Sequence, residues 1–225
     1  ISRKVREQYE SHPYPRWINC TLRSESKLIS EVTKTLKLNL IDFKINDVKK
    51  PDILIAGCGT GQHSIETAVR FRDSKVLAVD LSLESLAYAK RKTEEYKVKN
   101  IEYMQADILN LGKFKKKFDI VESCGVLHHM DDPLAGWRIL TDSLKQGGLM
   151  KIGLYSKLAR EFIKKIRKDI NKKGVGSSEM EIKAFRNDLI YSTKKYYKPI
   201  LDSDDFYCIS TVRDLLFHEK EHNFT

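Results

Sequence analysis

Cysteine is scarce in this chain, and Cys20, Cys58, Cys124 and Cys208 are too far apart to form a C-x-x-C pair. A disulfide framework or a cysteine metal cage is therefore not expected, and the pattern favours a reducing cytoplasm. Apolar runs are short as well, and none approaches the ~18–20 residues of a membrane span. The charged start of the chain has no apolar segment behind it and predicts no signal peptide. Because the first residue is not Met, we expect a fragment of a longer chain.

Acidic residues are outnumbered, with 31 Asp and Glu against 41 Lys and Arg, which gives a formal net charge of +10. Such an excess raises the hypothesis of a nucleic-acid partner. However, the basic clusters at 113–117 and 164–173 lack interleaved aromatic residues that would stack on bases. Solvated faces are therefore favoured, and nucleic-acid binding stays open as the alternative.

Glycine is infrequent, with 11 in 225 residues, yet Gly57, Gly59 and Gly61 stand at alternate positions in one segment. They follow the apolar run 53–56, which predicts a strand, a tight loop and then a helix N-terminus. A ligand can lie against bare backbone there. The dinucleotide fingerprint G-x-G-x-x-G/A needs a third glycine three residues after the second. Here the spacing is two and Gln62 takes the later position, which disfavours a nicotinamide cofactor.

Strands and helices alternate from residue 50 to residue 155. We predict strands at 53–56, 75–79, 101–105, 118–123 and 149–154, and helices at 62–71, 83–96 and 132–145. This alternation indicates an α/β fold with a doubly wound, Rossmann-like parallel sheet and helices on both faces. Residues 1–49 are expected to form an extended aromatic arm and a helix over 24–38. Residues 156–225 are expected to form a helical extension with helices at 158–170, 178–190 and 211–221. The apolar face of the first of these helices is expected to cover the cleft as part of a substrate lid.

Ligands bind outside the carboxyl ends of the strands in an open parallel sheet. Asp80 ends the second predicted strand, and a carboxylate there can accept both hydroxyl hydrogens of a ribose. Asp107 and Ile108 follow the third strand and offer an acceptor for an exocyclic amine and an apolar face for a purine. The segment 124–133 follows the fourth strand. Together these residues predict a cleft for an adenosine with a compact group beyond its ribose.

Over residues 50–155 the chain resembles a class I S-adenosylmethionine-dependent methyltransferase. The resemblance rests on Gly57-Cys-Gly-Thr-Gly61, Asp80, Asp107-Ile108 and Val126-Leu-His-His-Met130, in the order and spacing of that family. More narrowly, the chain is similar to bacterial methyltransferase domains that occur beside tetratricopeptide repeats.

The resemblance implies roles for individual residues. The three glycines, with Cys58 between them, would border the methionine part of S-adenosylmethionine. Asp80, followed by Leu81, would hold the ribose, and Asp107 and Ile108 the adenine. Cys124 would lie near the sulfonium. These nine positions are the expected cofactor-binding set: Gly57, Cys58, Gly59, Gly61, Asp80, Leu81, Asp107, Ile108 and Cys124.

Two features depart from the family pattern. Many members carry an acid two residues before the first glycine, where it helps to orient the cofactor's amino group, but this chain has Ile55 there. Another group is expected to do that work. The pair of antiparallel strands that usually ends the sheet is not evident before Thr225. We therefore expect a truncated C-terminal region, because the fifth strand would otherwise present an open edge.

The acceptor pocket is expected to be built from the N-terminal aromatic arm, the turn around His128 and the helices after Tyr155. Tyr14, Arg16 and Trp17 of the aromatic arm, together with His128, are candidate substrate contacts; the alternative for the arm is simple docking against the sheet. His128 and His129 are weak candidates for a general base, because imidazole titrates near neutrality. The favoured alternative is that both residues pack the turn before the following helix, since alignment alone can supply much of the rate of methyl transfer.

The string His218-Glu-Lys-Glu-His222 matches the helical zinc signature H-E-x-x-H. We do not expect a metal site there, because a Lys- and Glu-rich helix end readily produces this string.

The predicted function is methyl transfer from S-adenosylmethionine to a nucleophilic atom of a small molecule by a cytoplasmic enzyme. RNA or protein methylation is the alternative that the net charge raises. A non-catalytic cofactor-binding domain of a larger protein also stays open. The identity of the acceptor and the oligomeric state do not follow from the sequence.

Overall fold

The computed structural model describes residues 3–22 and 25–225. Five strands form one parallel sheet, and they are β1 (Asp52–Ala56), β2 (Lys75–Asp80), β3 (Ile101–Gln105), β4 (Phe118–Cys124) and β5 (Leu144–Gly153). The α-helices in these ranges are α1 (Arg3–Ser11), α2 (Ile29–Thr35), α3 (Gln62–Arg70), α4 (Leu83–Glu95), α5 (Pro133–Asp142), α6 (Glu161–Lys173), α7 (Glu179–Ile190), α8 (Lys198–Leu201) and α9 (Ile209–Phe217). None of these helices is long and apolar enough to cross a bilayer.

The strand order is β3-β2-β1-β4-β5. The winding direction therefore reverses between β1 and β4, and the crevice outside their carboxyl ends is where such sheets bind ligands. Apolar side chains cover both faces of the sheet, with Ile53 and Ile55 of β1 in one buried cluster and Leu54 and Ala56 in the other. The predicted α/β fold with a doubly wound parallel sheet is confirmed.

The start of β5 differs from the prediction. The strand begins at Leu144, five residues before the predicted start, and α5 ends at Asp142. Gly147 adopts a φ of 75° inside the strand, and the register against β4 shifts between Phe118 and Ile120. Gly147 and Gly148 thus belong to a strand irregularity and not to the end of a helix, because glycine tolerates the positive φ of a bulge.

The ends of the chain also differ from the expected pattern. The N-terminal arm is not extended throughout, since α1 occupies its first part and the irregular path begins after Ser11. Of the helix predicted over 24–38, residue 24 lies outside the described residues, and α2 covers only Ile29–Thr35. Within the described residues the sheet has no antiparallel strand pair. Instead, Phe224 forms a single parallel bridge with Ser156, just past β5.

The helices after β5 build a hydrophobic core of their own. Ile163, Ile166 and Ile170 of α6 are buried against side chains of α7 and α9 such as Phe185 and Leu216. The basic face of α6 is left towards solvent, with Lys165, Lys168 and Lys172 exposed. The apolar face of this helix is therefore buried inside the helical cluster, and the expectation that it forms a lid over the cleft is wrong.

Candidate functional site

The glycine loop after β1 is held by Asp80 at the end of β2. Gly57, Gly59 and Gly61 all have positive φ, of 76°, 52° and 87°. The Gly59 N–H donates to Asp80 Oδ2 at 2.7 Å, and the Ser82 N–H donates to Asp80 Oδ1 at 3.0 Å. Burial raises the pKa of Asp80, and these backbone donors act in the opposite direction. The carboxylate therefore fixes the loop and keeps free lone pairs for a ligand, because two oxygens offer about four acceptor positions.

A cavity of about 510 Å³ opens over this loop and the carboxyl ends of the strands. Its volume falls in the range of pockets that hold cofactors and drug-sized molecules. Eight of the nine predicted cofactor-binding residues line it, and these are Gly57, Cys58, Gly59, Asp80, Leu81, Asp107, Ile108 and Cys124. Gly61 is absent from the lining; a side chain at this position would collide with Ala89 of α4, so this glycine permits close packing of the helix below.

The N-terminal arm lies directly on the glycine loop. The Tyr14 carbonyl accepts the Thr60 N–H at 3.2 Å, and the Pro15 carbonyl accepts the Thr60 hydroxyl at 2.6 Å. A Cβ at Gly59 would overlap the Tyr14 carbonyl oxygen. Tyr14, Pro15 and Tyr9 also line the cavity. The two readings of the arm are thus compatible, since it docks against the sheet and forms part of the cavity wall.

Trp17 and Arg16 lie elsewhere than the sequence suggested. The Trp17 side chain is buried, its indole N–H donates to the Thr60 hydroxyl at 3.1 Å, and it does not line the main cavity. Trp17 therefore anchors the arm. Arg16 is exposed and lines a second depression on the other side of the arm, together with His12 and Arg186.

The two neighbouring histidines have different surroundings. His128 is fully buried and stacks on Tyr155 with ring centroids 3.8 Å apart. Within the described residues neither of its ring nitrogens has a hydrogen-bond partner, and burial lowers its pKa to about 3. It does not line the cavity. These placements favour packing over substrate contact or proton transfer for His128.

His129 does line the cavity, and its tautomer is set by the chain. Its Nδ1 lies 2.7 Å from the carbonyl oxygen of Lys220. A carbonyl can only accept, so Nδ1 carries the proton and Nε2 has a free lone pair. Burial lowers the pKa of His129 to about 4, and the ring is therefore neutral at pH 7.

A buried polar network connects α1 with α9 behind this histidine. The Tyr9 hydroxyl donates to Asp214 Oδ1 at 2.8 Å and lies 3.0 Å from His218 Nε2. The Lys220 N–H donates to His218 Nδ1, so Nε2 of the neutral ring carries the proton and points it at Tyr9. The His218 ring stacks on His129 with centroids 3.6 Å apart. The network thus locates Tyr9 and His129 at the cavity wall.

The apparent zinc signature is not helical. Helix α9 ends at Phe217, so His218 and His222 do not share a helix face. Possible ligand atoms of His129, Asp214 and His218 do lie within 4.8 Å of one another. The hydrogen bonds from Tyr9 and Lys220 and the parallel stacking of the two rings already account for the positions of these side chains.

The helical segment after Tyr155 contacts residues of the cavity wall but does not line the cavity itself. In the described part of the chain, the lining of the main cavity includes no residue after Tyr155. The expectation that these helices build the acceptor pocket directly is therefore wrong. Their contribution passes through Asp214, His218 and Lys220, which hold Tyr9 and His129.

Several lining residues were not predicted from the sequence, notably His63, Glu66 and Tyr155. His63 is the second residue of α3, and its Nε2 lies 2.7 Å from Glu122 Oε2 of β4. The side chain of Glu122 is only 4% exposed. An acid in the middle of a buried strand was the one signal in the sequence that could have pointed to this pair.

The family model described as "Methyltransferase domain" matches residues 53–148, which hold the glycine loop, Asp80 and Asp107. Residues 53–148 form a class I S-adenosylmethionine-dependent methyltransferase domain. The cofactor of this methyltransferase domain is S-adenosylmethionine, and the predicted family resemblance is confirmed.

Known relatives match different shares of the chain. An uncharacterized protein of Synechococcus, syc1184_c, is 31% identical over 122 residues, which are 54% of this chain and 29% of that protein. Ubiquinone biosynthesis O-methyltransferase of Pseudomonas fluorescens is 27% identical over 213 residues, with 85% of this chain and 90% of that protein covered. PKMT2 from Rickettsia typhi in complex with AdoHcy has a TM-score of 0.64 at 20% identity, over 94% of this chain and 42% of that one. This last likeness shows the shared fold.

The described residues fit the cofactor. The three glycines leave stretches of bare backbone in the loop, Asp80 keeps acceptor positions for hydroxyl groups, and Asp107 and Ile108 line the same cavity. A side chain at Gly57 would collide with Val126 and narrow the crevice between the loop and β4. An open loop together with carboxylate acceptors in one cavity is what an adenosine carrying an amino acid requires.

Proposed function

We propose that this chain is a methyltransferase that moves the methyl group of S-adenosylmethionine to a nucleophilic atom of a small acceptor. The observation that carries the proposal is the aromatic continuation of the cofactor cavity, where Tyr9, Tyr14 and Tyr155 line the wall with Met130. Burial raises the pKa of all three phenols, so their hydroxyls are neutral. Such a wall suits an apolar or aromatic acceptor with few charges.

The chemistry divides between the cofactor and the chain. When bound, the sulfonium supplies an electrophilic methyl carbon. The glycine loop and Asp80 hold the cofactor, and the arm covers the loop through Tyr14 and Pro15 and keeps water out. Because a correctly aligned acceptor gains a large effective concentration, this positioning supplies much of the rate.

His129 is the proposed proton acceptor of the site. Its Nε2 lone pair is fixed by the bond from Nδ1–H to the Lys220 carbonyl, and the ring is neutral at working pH. A neutral imidazole at the cavity wall can accept the proton that an attacking hydroxyl or amine releases. His128, which does not line the cavity, has no part in this step.

The relative from Pseudomonas fluorescens, named ubiquinone biosynthesis O-methyltransferase, supports an oxygen atom as the acceptor. The coverage of most of both chains makes this the more informative of the relatives. We therefore favour O-methylation of a small hydroxylated compound, with S-, N- and C-acceptors as outcomes of the test.

A methyl-transfer screen tests the proposal. Purified protein, S-adenosylmethionine with a labelled methyl group and a cell lysate are incubated, and the label is followed into small-molecule, RNA and protein fractions. An Asp80→Ala variant controls for label that does not pass through this site. Label in the low-molecular-weight fraction that survives nuclease and protease supports the proposal. Binding without transfer to any fraction would instead indicate a cofactor-binding module.

Macromolecular acceptors remain the second candidate because of the net charge of +10 and the exposed lysines of α6. Loss of the label after nuclease would point to RNA, and loss after protease would point to protein. Either result would overturn the small-molecule proposal while keeping the methyltransferase activity.

A further inference from the structure

Position 55 lacks the acid that many members of this family place two residues before the first glycine. Ile55 lies on β1 and is fully buried. In the parallel register between β1 and β4, its partner is Glu122. Because partners in register point to the same face of a sheet, the Glu122 carboxylate stands on the face where the missing acid would have stood.

Glu122 is a buried carboxylate with two close partners on α3. Its Oε2 accepts the Thr67 hydroxyl at 2.9 Å and lies 2.7 Å from His63 Nε2. Burial acts to raise the pKa of Glu122, but His63, Lys151 and Thr67 outweigh it and the pKa is lowered. Glu122 is therefore an anion inside the protein; Lys151 is its register partner on β5, and a further cationic group nearby would stabilise it.

His63 lies between Glu122 and the cavity. Its side chain is 25% exposed and lines the wall beside the glycine loop, whereas Glu122 does not reach the wall. With Nε2 turned to the carboxylate, Nδ1 is the remaining ring nitrogen. Within the described residues nothing donates to or accepts from Nδ1. Nε2 lies 2.7 Å from the carboxylate, although not in the alignment of a regular hydrogen bond. A carboxylate only accepts, so Nε2 carries the ring hydrogen and Nδ1 has the lone pair.

We propose that His63 and Glu122 together replace the missing strand acid and bind the α-amino group of the cofactor's methionine. His63 Nδ1 accepts a hydrogen bond from the ammonium group, and Glu122 supplies the negative charge behind it. Both residues are positioning residues of the cofactor site. This inference rests on the proposed function, because it assumes that the cavity holds S-adenosylmethionine.

Binding of three adenosine compounds tests the pair without measuring turnover. S-adenosylhomocysteine has the whole amino-acid end, its decarboxylated analogue keeps the amino group, and 5′-methylthioadenosine has neither. Calorimetry gives the Kd of each for the wild type, Glu122→Gln and His63→Asn. Loss of a charge-assisted hydrogen bond should raise the Kd of the first two compounds by ~10-fold or more. The Kd of 5′-methylthioadenosine should rise by less than ~2-fold.

Two further variants sharpen the test. Glu66→Gln removes a carboxylate of α3 that lines the cavity, and Glu102→Gln removes an exposed carboxylate on β3. The inference is overturned if Glu66→Gln, and not Glu122→Gln, causes the selective loss. It is also overturned if the variants weaken the binding of all three compounds equally, because the pair would then have a purely structural role. If only the binding of S-adenosylhomocysteine is weakened, the pair contacts the carboxylate of the cofactor, and the inference is overturned as well.

The proposed function fails in a different way. A wild-type chain that binds neither S-adenosylhomocysteine nor 5′-methylthioadenosine would refute the cofactor site itself, and the inference with it. If the wild type binds these compounds and the ratios between their Kd values are unchanged in both variants, only the role of His63 and Glu122 is refuted. Because Glu122 is buried, melting curves accompany each variant, and His63→Asn, at the helix surface, provides the independent second probe.

Discussion

The hydroxyl group of Tyr9 donates a 2.8 Å hydrogen bond to the carboxyl group of Asp214, which lies 205 residues later in the chain. Asp214 is buried and Tyr9 is half-buried at the cavity wall, and the bond connects α1 with α9. The two ends of the chain are therefore part of one site, although neither belongs to the methyltransferase domain of residues 53–148.

Asp214 makes stability depend on pH. Burial raises its pKa to about 6, from an ordinary value of 3.8. Between these values the folded chain binds more protons at this group than the unfolded chain, so its contribution to stability is lost as pH rises towards 6. Asp214→Asn keeps the acceptor for Tyr9 and removes the titration. Relative to wild type, the variant should therefore gain about 3 kcal/mol in free energy of unfolding between pH 4 and pH 7.

Urea denaturation of both proteins at several pH values provides the measurement. The difference between the two proteins cancels groups that titrate in both, such as Glu221. A difference that stays constant across this range would show that Asp214 is not the group that titrates.

The contact between the arm and the glycine loop predicts a contrast between two glycine variants. Gly59→Ala places a Cβ against the Tyr14 carbonyl at a φ of 52°, so the arm must move away and cofactor affinity should fall by ~10-fold or more. Gly174→Ala imposes a similar backbone penalty, since φ is 63°, but its Cβ meets nothing within 4 Å and the residue does not line the cavity. It should cost only the ~1–2 kcal/mol of a left-handed residue. Equal loss of affinity in both variants would argue against a role for the arm.

His129 and His128 should respond differently to substitution. His129→Asn removes the proposed proton acceptor and should lower kcat by ~10²–10⁴-fold. His128→Leu removes two unpartnered buried nitrogens together with the stacking on Tyr155, so activity should be kept. Steady-state kinetics of both variants decide the matter; retained kcat in His129→Asn would mean that alignment alone suffices.

The pH profile gives a second check on His129. Because its pKa is lowered to about 4, the neutral form that accepts a proton is present throughout the range above pH 5 and is lost only as pH falls through 4. We expect kcat/KM to show no fall from this group between pH 5.5 and pH 8. A loss of activity centred near pH 6.5 that is absent in His129→Asn would contradict the assignment.

A buried ion-pair cluster holds the C-terminal segment. Glu221 accepts from Arg160 at 2.5 Å and from Arg167 at 3.0 Å, and its side chain is 3% exposed. Glu221→Gln leaves two guanidinium groups without their counter-charge and should cost about 3–5 kcal/mol of unfolding free energy. Glu219→Gln, at an exposed pair 3.9 Å from Lys4, should cost less than ~1 kcal/mol by chemical denaturation. Similar costs for the two variants would refute the cluster as a stabilising element.

Local sequence was sufficient to predict the residues of the cofactor cleft that follow the strand ends of the domain. The glycine spacing, Asp80, Asp107 and Ile108 predicted a cofactor cleft, and the structure brings them to one cavity. They could be found because each lies directly after a strand, and the carboxyl ends of parallel strands share one edge of the sheet.

The pairings across long sequence distances could not be found in that way. Trp17 was assigned to substrate because it stands in an aromatic cluster, but its indole N–H is used on Thr60. His128 and His129 are adjacent and chemically identical, and only the Lys220 carbonyl and the cavity wall distinguish them. The sequence contains no local sign of either contact.

By itself, the sequence determined the parallel sheet, the glycine loop and the kind of cofactor, because these depend on periodicity and on residues a few positions apart. Only the tertiary structure decided which groups surround the cofactor end of the cleft and the acceptor. The register of β1 against β4 put Glu122 beside Ile55, and the packing of α9 on α1 put Asp214 beside Tyr9. Strand register and helix packing are settled by the burial of whole faces, so these contacts emerge only when the chain is folded.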